Sequence, residues 1–295
     1  MSARFSACPG KVDTGFSKRT CANEKTRAHR PNYRHLGVHQ PLAERAGGLD
    51  TAAALSYIAA HVTVAWTRRP MAEPRSACFL KDIENAYLSL GAGEIISVAA
   101  GRVGCVADLS PTEAALISHA SDAHRLEFAA GRWCARRALE QIGGPAVPIL
   151  RGHLGEPIWP PGFAGSITHD GGIAAAAAYR VARPTGTSFA IDLVDCSARS
   201  RLADIAAVIL SDHERSALGD QINHPMVIAQ IFSAKEAAIK ILSADLGRRI
   251  EFTEISASPG QAGWLLVHPQ SSATIHGRSL EVGSFLTTVA ALRAD

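Results

Sequence analysis

The residues most able to do chemistry in this 295-residue chain lie on one predicted helix, at Glu236 and Lys240. Residues 226–246 contain no proline or glycine, and apolar side chains recur there at near-helical spacing. Pro225 stands where the first turn of a helix tolerates proline, and Gly247 can end the helix. The helix therefore presents a carboxylate one turn before an ammonium group. On spacing alone this is an ordinary i,i+4 pair, which stabilises a helix by a few tenths of a kcal/mol.

A further candidate is Asp192, which interrupts an apolar, alternating segment at residues 189–195. The alternation predicts a strand in which Asp192 and Val194 point to one face and Asp195 points to the other. An acid inside such a segment is costly to bury unless it is paired, hydrogen-bonded or bound to a metal. An acid at a frayed strand end or in a turn is the ordinary alternative.

Together the two segments resemble the paired signature of the surfactin-type 4′-phosphopantetheinyl transferases, in the branch close to the enterobactin-synthase enzyme. That signature is a Gly-Ile-Asp-x-Glu-like strand followed by a Phe/Trp-x-x-Lys-Glu-x-x-x-Lys helix. The helix half matches in full, at Phe232, Lys235, Glu236 and Lys240. The strand half matches at Ile191 and Asp192. There Ala190 replaces the glycine, and Val194 stands where many relatives carry a second acid.

The resemblance extends upstream through an arginine-rich helical segment at residues 123–139 and an irregular block at residues 148–169. The helical segment is similar to the family's Arg-x-Glu-Phe-x-x-x-Arg-x-x-Ala-Arg helix, which helps to build a coenzyme A pocket. The matching residues are Arg125, Glu127, Phe128, Arg132, Ala135 and Arg136. The block is similar to the family's basic-Gly, Gly-Glu-Pro-x-Trp-Pro-x-Gly and Gly-Ser-Ile-Thr-His run. Without the resemblance, the arginines would be a solvated basic face and His169 a hydrogen-bonded structural histidine.

The resemblance implies an α+β fold of two similar α/β subdomains in a pseudo-two-fold arrangement. It divides the chain into an extension at residues 1–76, a subdomain at residues 77–185 with the coenzyme A phosphate pocket, and a subdomain at residues 186–295 with the metal-binding motifs. No internal repeat is visible in the residues themselves. Capping boxes are predicted at Ser110 and Ser211. The alanine run at residues 173–181 favours a helix by propensity, but the resemblance implies a strand. Late strands are predicted at residues 250–256, 264–267 and 279–290.

The resemblance also implies a reaction and the residues that carry it out. The protein would transfer 4′-phosphopantetheine from coenzyme A to a serine of an acyl or peptidyl carrier protein, releasing adenosine 3′,5′-bisphosphate. Asp192 and Glu236 would bind Mg²⁺. Glu236 would help to deprotonate the serine, and Lys240 would stabilise the leaving group. The residues expected to contact coenzyme A are Arg125, Arg132, Arg151, Thr168, His169, Lys235 and Lys240. The branch favours nonribosomal peptide (siderophore) synthesis, and polyketide and fatty-acid carriers stay open.

The sequence leaves two other classes of protein open. A non-catalytic module that binds coenzyme A or a carrier protein is the main alternative, because Val194 could weaken metal binding. The interpretation as a nucleic-acid-binding protein depends only on the basic start of the chain, where residues 1–80 carry 12 basic and 5 acidic side chains. The whole chain has a net charge of only +3 and no recognisable nucleic-acid module, so we expect no such partner.

The first part of the chain is unlike the rest. Residues 1–50 are polar and basic without a sustained period, which is typical of disorder. A transit peptide, or translation that begins at Met71, would explain the same composition. The apolar segment at residues 51–66 is too short to span a membrane. The six cysteines form no Cys-x-x-Cys pair and are too sparse for a disulfide scaffold, so we expect reduced thiols and a cytoplasmic location. The twelve histidines show no zinc spacing. We also expect a monomer.

Overall fold

The computed structural model describes residues 77–90, 96–102, 106–181, 188–197, 199–260 and 263–292. The extension predicted at residues 1–76 lies outside the described residues. The first group of elements is α1 (Ala77–Leu90), β1 (Ile96–Arg102), α2 (Pro111–Ala115), α3 (Asp122–Gln141), β2 (Leu150–Arg151), β3 (Pro157–Ile158), β4 (Phe163–Asp170) and β5 (Ile173–Arg180). The second group is β6 (Ser188–Asp195), α4 (Arg199–Ile209), α5 (Asp212–Leu218), α6 (Pro225–Leu246), β7 (Ser256–Gly260), β8 (Gly263–Val267), β9 (Ile275–Val282) and β10 (Phe285–Leu292).

The first sheet has the strand order β1-β5-β4 and is antiparallel throughout. Its central strand is the alanine run, which confirms the strand that the resemblance implied. Ala174, Ala176 and Ala178 pack under α3, whereas Ala175 and Ala177 face a second core that includes α1. Tertiary packing overrides the helical propensity of alanine here, because small side chains let helices approach the sheet closely on both faces.

The second sheet has the order β6-β10-β9-β8-β7, and its core lies under α6. Strand β6 alternates between two cores. Ala190 and Val194 pack with α6, whereas Ile191 and Leu193 pack with the core that contains α1. The predicted alternation of this strand is therefore confirmed, and Asp192 lies on the α6 face.

The two sheets share a strand order. In each, the first strand pairs with the last, and the last pairs with the strand before it, giving β1-β5-β4 and β6-β10-β9. A long helix, α3 or α6, packs against each sheet. The mixed helix-and-sheet architecture predicted from the sequence is confirmed. The boundaries given above for the subdomains stay a proposal.

Strands β4 and β6 run side by side, joined by side chains instead of a main-chain ladder. Alternate β4 side chains accept hydrogen bonds from alternate β6 N–H groups. These pairs are Ser166 with Ile191 at 3.1 Å, Thr168 with Leu193 at 3.1 Å, and Asp170 with Asp195 at 2.7 Å. The constant offset between partners means that the strands run parallel. The seam brings the predicted coenzyme A residues of β4 beside Asp192.

Local signals fix the ends of the helices that matter for the site. Ser110 and Ser211 each form a capping box with a glutamate three residues later, as predicted. Pro225 occupies the first turn of α6, and Gly247 ends the helix with φ of 63°. Because this left-handed conformation suits glycine, the end of α6 is also as predicted.

Two of the predicted late strands are wrong in their bounds. Residues 250–256 are mostly not a strand, because Phe252–Glu254 forms a 3₁₀ turn and the strand begins at Ser256. The Glu254 side chain closes this turn by accepting the N–H of Glu251 at 2.9 Å. Residues 279–290 are not one strand but parts of β9 and β10, separated by a turn at Gly283 with φ of 62°.

Among the described residues, no helix is both long and apolar enough to cross a membrane.

Candidate active site

Asp192 is at the centre of the candidate site. Its side chain is 8% exposed, and both carboxylate oxygens are hydrogen-bonded. Oδ1 accepts from Thr168 Oγ1 at 3.2 Å and from Lys240 Nζ at 2.8 Å. Oδ2 accepts from Ser233 Oγ at 2.8 Å. The acid that the sequence placed in an apolar strand is thus paired and hydrogen-bonded, which offsets the cost of its burial.

Helix α6 presents three successive turns to this carboxylate, at Ser233, Glu236 and Lys240. Lys240 Nζ donates to the main-chain carbonyl of Ile191 as well as to Asp192, each at 2.8 Å. Burial raises the pKa of Glu236, Lys240 lowers it and Asp192 raises it again, with a net increase. Glu236 is therefore better suited to accept a proton near neutral pH than an ordinary glutamate.

Asp192, Glu236 and Lys240 line one cavity of about 670 Å³. Its apolar lining includes Leu202, Ile205 and Phe232. The polar residues of the lining are Glu127, Thr168, His169, Asp170, Asp192, Asp195, Glu236 and Lys240. The structure therefore brings together five of the predicted site residues: Asp192, Glu236, Lys240, Thr168 and His169.

His169 lies in this cavity with its Nδ1 3.8 Å from a Glu127 carboxylate oxygen. Burial lowers the pKa of the imidazole, and the nearby ammonium of Lys240 acts in the same direction. The carboxylate of Glu127 opposes this shift but does not cancel it. The imidazole is therefore neutral at neutral pH. An anion bound beside it would raise its pKa and favour the protonated form.

Lys235 lies away from the cavity although it precedes Glu236. Its side chain is fully buried, and Nζ donates to Glu214 Oε2 at 2.8 Å. It also donates to the main-chain carbonyls of Ile209 at 2.7 Å and Phe252 at 3.1 Å. An ammonium group has three N–H donors, so all of them are used inside the protein.

Arg132, predicted to contact a phosphate, is also turned into the protein. It is 5% exposed, and it donates to the main-chain carbonyls of Ile149 at 2.6 Å and Leu150 at 3.3 Å. The guanidinium lies 4.2 Å from the ring centre of Phe128. Burial lowers the pKa of Arg132 to about 10, a value at which the group is still charged at neutral pH.

The remaining predicted arginines do not line the cavity. Arg125 lies on α3 with its side chain 38% exposed, 4.0 Å from a carboxylate oxygen of Asp122. Arg151 is exposed on β2. The predicted contacts of Arg125, Arg132 and Arg151 with coenzyme A stay predictions.

Sequence reasoning gave no role to three residues of this region. Ser233 lies inside the matched helix motif and Glu127 inside the matched arginine helix, so their places in these motifs could have suggested a role in the site. For Asp170, the sequence offers only its position next to His169. Burial raises the pKa of Asp170, and the carboxylates of Asp195 and Asp192 add to the shift against the hydrogen bonds that Asp170 accepts.

Two carboxylates in this cavity, those of Asp192 and Glu236, could bind a metal ion. In the described parts of the chain, no group of three or more His, Cys, Asp or Glu side chains is arranged to hold a metal ion. Asp192 and Glu236 supply hard oxygen atoms, and the charge of Asp192 raises the pKa of Glu236, so a divalent cation between them would relieve their repulsion. Mg²⁺ suits such a site, since it binds through one or two carboxylates and keeps several waters.

Two family models match the chain. The 4′-phosphopantetheinyl transferase N-terminal domain matches residues 112–179, and the 4′-phosphopantetheinyl transferase superfamily matches residues 188–290. The two ranges together cover more than half of the chain. The first ends within β5 of the first sheet, and the second begins at β6 of the second sheet. The chain belongs to the 4′-phosphopantetheinyl transferase superfamily, which confirms the family recognised from its motifs.

Within this superfamily, the chain is similar to several individual transferases and synthase components. It is 35% identical to the 4′-phosphopantetheinyl transferase Svp of Streptomyces mobaraensis, over 50% of this chain and 59% of that protein. It is 32% identical to enterobactin synthase component D of Escherichia coli O157:H7, over 43% of this chain and 58% of that protein. The chain thus matches less than two thirds of the length of either relative. The crystal structure of Thermotoga maritima holo-[acyl-carrier-protein] synthase is 20% identical with a TM-score of 0.31, over 38% of this chain and 64% of that chain.

Proposed function

We propose that the protein transfers the 4′-phosphopantetheine group of coenzyme A to a serine of an acyl or peptidyl carrier protein. The serine oxygen forms a bond to the phosphorus that carries the pantetheine arm. The bond from this phosphorus to the bridging oxygen breaks, and adenosine 3′,5′-bisphosphate leaves. The observation that carries the proposal is the convergence of Asp192, Glu236 and Lys240 on one cavity, in a chain of this superfamily.

Glu236 and Lys240 take the proposed chemical roles. Glu236 accepts the proton of the carrier serine, a role supported by its place in the cavity with Asp192 and Lys240. Lys240 is the cation of α6 that reaches the cavity, and it stabilises the negative charge on the departing bisphosphate. Phosphoryl transfer depends chiefly on such positioning and charge compensation.

Asp192 and Glu236 are the proposed ligands of Mg²⁺. When bound, the ion would offset the charge of the coenzyme A diphosphate. Asp192 is prepared for this role because hydroxyl donors from two elements, Thr168 of β4 and Ser233 of α6, orient its carboxylate. The proposal keeps two protein carboxylates, because Val194 occupies the strand position of the second acid found in many relatives.

Coenzyme A is proposed to place its 3′-phosphate near His169 and the arginines of the first half. His169 supports this by its place in the cavity, where a phosphate beside the ring would favour the imidazolium against the effect of burial. Arg125, Arg132 and Arg151 are the proposed further contacts, carried by the resemblance. Lys235 is left out, because its three donors are used within the protein.

The proposed carriers belong to nonribosomal peptide (siderophore) or polyketide synthesis, following the similarity to enterobactin synthase component D. A cytoplasmic, monomeric protein is proposed with them. The described cysteines Cys78, Cys134 and Cys196 are free thiols, which agrees with a reducing compartment.

Intact-protein mass spectrometry of a panel of apo carrier proteins tests the proposal. Each carrier is incubated with the protein, coenzyme A and Mg²⁺, and with EDTA in a parallel sample. We expect at least one carrier to gain one phosphopantetheine group, and EDTA to prevent the gain. Tight binding of coenzyme A without a mass gain on any carrier would instead favour the binding module.

A further inference from the structure

Tyr87 lies outside both ranges matched by the family models and does not line the cavity, yet it contacts the central acid of the site. Its hydroxyl donates to the main-chain carbonyl of Asp192 at 2.7 Å. The two residues are 105 positions apart in the sequence. The side chain is fully buried, and burial, followed by the charge of Asp192, raises the pKa of the phenol, so the hydroxyl stays a donor at neutral pH.

The ring and the hydroxyl of Tyr87 have separate surroundings. The ring packs in the core of α1, β1, β5, β6 and β10, together with Ile191 and Leu193 of β6. Those two side chains lie on the face of β6 opposite the one that carries Asp192. The Tyr87 ring therefore packs on the face of β6 that points away from α6, whereas the side chain of Asp192 projects towards α6 and the cavity.

The carboxylate of Asp192 accepts hydrogen bonds from Thr168, Ser233 and Lys240. With Tyr87 on its carbonyl, this one residue is fixed at both the main chain and the side chain. The direction of a side chain follows from its backbone, so a shift of the strand at this point moves the carboxylate as well. Groups that orient a metal ligand typically matter by about 10- to 100-fold in metal affinity or activity.

We propose that Tyr87 is a positioning residue for Asp192, through which helix α1 sets the place of the carboxylate in the active site. The proposal rests on the function proposed above, but it concerns a residue of α1 that neither family model includes. It assigns to α1 a part in the site beyond filling the core.

The test compares Tyr87→Phe with Ser97→Ala in the full-length protein. Tyr87→Phe removes only the hydroxyl. Ser97 is a matched control, since its buried hydroxyl also donates to a main-chain carbonyl, that of Ala138 at 2.5 Å, away from the cavity. Binding of Mn²⁺, as a probe for Mg²⁺, is measured by electron paramagnetic resonance without coenzyme A or carrier. Circular dichroism and thermal unfolding report the fold of each variant.

We expect Tyr87→Phe to weaken Mn²⁺ binding by roughly tenfold, and to lower kcat with little change in KM for coenzyme A. Ser97→Ala should bind Mn²⁺ as the wild type does, even where it loses comparable thermal stability. Equal Mn²⁺ affinity in Tyr87→Phe and wild type, or an equal loss in both variants, would overturn the proposal. Because Mn²⁺ binding needs no carrier, this outcome is separate from a failure of the proposed transfer reaction.

A third protein guards against a folding failure of Tyr87→Phe. Replacing Tyr87 with 4-aminophenylalanine keeps a donor at the same place on the ring. Its Mn²⁺ affinity should lie within about threefold of the wild type, since the restored donor again holds the carbonyl. Loss of Mn²⁺ binding in a folded 4-aminophenylalanine protein would contradict the proposal as well.

Discussion

Each half of the fold buries a capping-box glutamate and pairs it with a cation from its long helix. In the first half, Glu113 caps α2 and receives Arg136 of α3 at 2.9 Å. In the second half, Glu214 caps α5 and receives Lys235 of α6 at 2.8 Å. Each cation also donates to a main-chain carbonyl just before the capped helix, and each glutamate accepts an N–H from the segment that follows the long helix. We call these two clusters the first hub and the second hub.

The two hubs differ in burial and in the residue that follows the cation. The side chain of Arg136 is 25% exposed, whereas that of Lys235 is fully buried. Arg137 lies on the surface and pairs with Glu140 at 2.8 Å. Glu236, at the corresponding place, faces the cavity. Lys235 thus anchors α6 as Arg136 anchors α3, and in the second hub the residue next to the anchor is a carboxylate that faces the cavity.

The largest expected effect is on activity, from Asp192 and Glu236, the proposed metal-binding acids of the second half. Asp192→Ala and Glu236→Ala should each remove carrier modification to below about 1% of the wild-type rate, since both charge positioning and proton transfer depend on them. Arg137→Ala, the counterpart in the first half, should keep the rate within about twofold, as expected for an exposed ion pair. Initial rates of holo-carrier formation measure this, with circular dichroism to show that the variants are folded. A folded Glu236→Ala protein with near-normal rate would remove Glu236 from the reaction.

The next largest effect is on the free energy of unfolding, for which a variant of each hub can be compared directly. Lys235→Ala leaves Glu214 buried without its cation, so the free energy of unfolding should fall by roughly 3–5 kcal/mol. Arg136→Ala should cost less, about 1–3 kcal/mol, because the pair is partly exposed and Glu113 keeps its N–H donors. Urea unfolding of both variants provides the values. The comparison would fail if Arg136→Ala were the more destabilising of the two.

A double variant sharpens this prediction. In Lys235→Met with Glu214→Gln, no uncompensated charge is left in the second hub, so most of the loss seen in Lys235→Ala should be recovered. A double variant as unstable as Lys235→Ala would mean that the ion pair itself, and not the removal of one partner, sets the stability of this hub.

A smaller effect is on the pH dependence of stability, in the first hub. Burial acts to raise the pKa of Glu113, but hydrogen bonds from Ser110 and Ile149 and the charge of Arg136 lower it overall. The stabilisation from the ionised carboxylate is therefore complete above about pH 4.5, the ordinary glutamate value, and is lost as the pH falls through the lowered pKa.

Urea unfolding from about pH 6 down to about pH 3 should accordingly show a steeper loss of stability in the wild type than in Glu113→Gln. Glu140→Gln, a substitution in an exposed pair of the same helix, serves as the control and should follow the wild type. Parallel curves for wild type and Glu113→Gln would contradict the direction given for this pKa.

The smallest expected effect is that of Asp195→Ala. The structure places Asp195 at the last position of β6, where its carboxylate accepts the N–H of Ser197 at 2.9 Å. It lines the cavity but does not share the α6 face of Asp192 and Val194. Carrier modification should stay within about threefold of the wild type, the scale of one exposed neutral-donor hydrogen bond. If Asp195→Ala were as inactive as Asp192→Ala, Asp195 would join the proposed metal ligands.

Much of the site could be predicted from the sequence, because its signals are local. The bounds of α6, the capping boxes at Ser110 and Ser211, and the alternation around Asp192 each depend on residues a few positions apart. Residues 173–181 needed the resemblance, since alanine favours a helix until neighbouring strands supply its hydrogen bonds.

The contacts between distant segments could not be predicted in the same way. The sequence shows no internal repeat, because the two hubs share only a capping box and a cation of different type. The burial of Lys235 and Arg132 depends on carbonyl groups supplied by other segments, such as Phe252 and Ile149. Nothing near Tyr87 in the sequence indicates its hydrogen bond to the main-chain carbonyl of Asp192. That hydrogen bond depends on the packing of α1 against β6.

One measurement separates the site from the hub most directly: intact mass spectrometry of a single apo carrier treated with three proteins, coenzyme A and Mg²⁺. The proteins are the wild type, Glu236→Ala, and the double variant Lys235→Met with Glu214→Gln. We expect a gain of one phosphopantetheine group with the wild type and with the double variant, and no gain with Glu236→Ala. A folded double variant that leaves the carrier unmodified, or a Glu236→Ala protein that modifies it fully, would contradict the account.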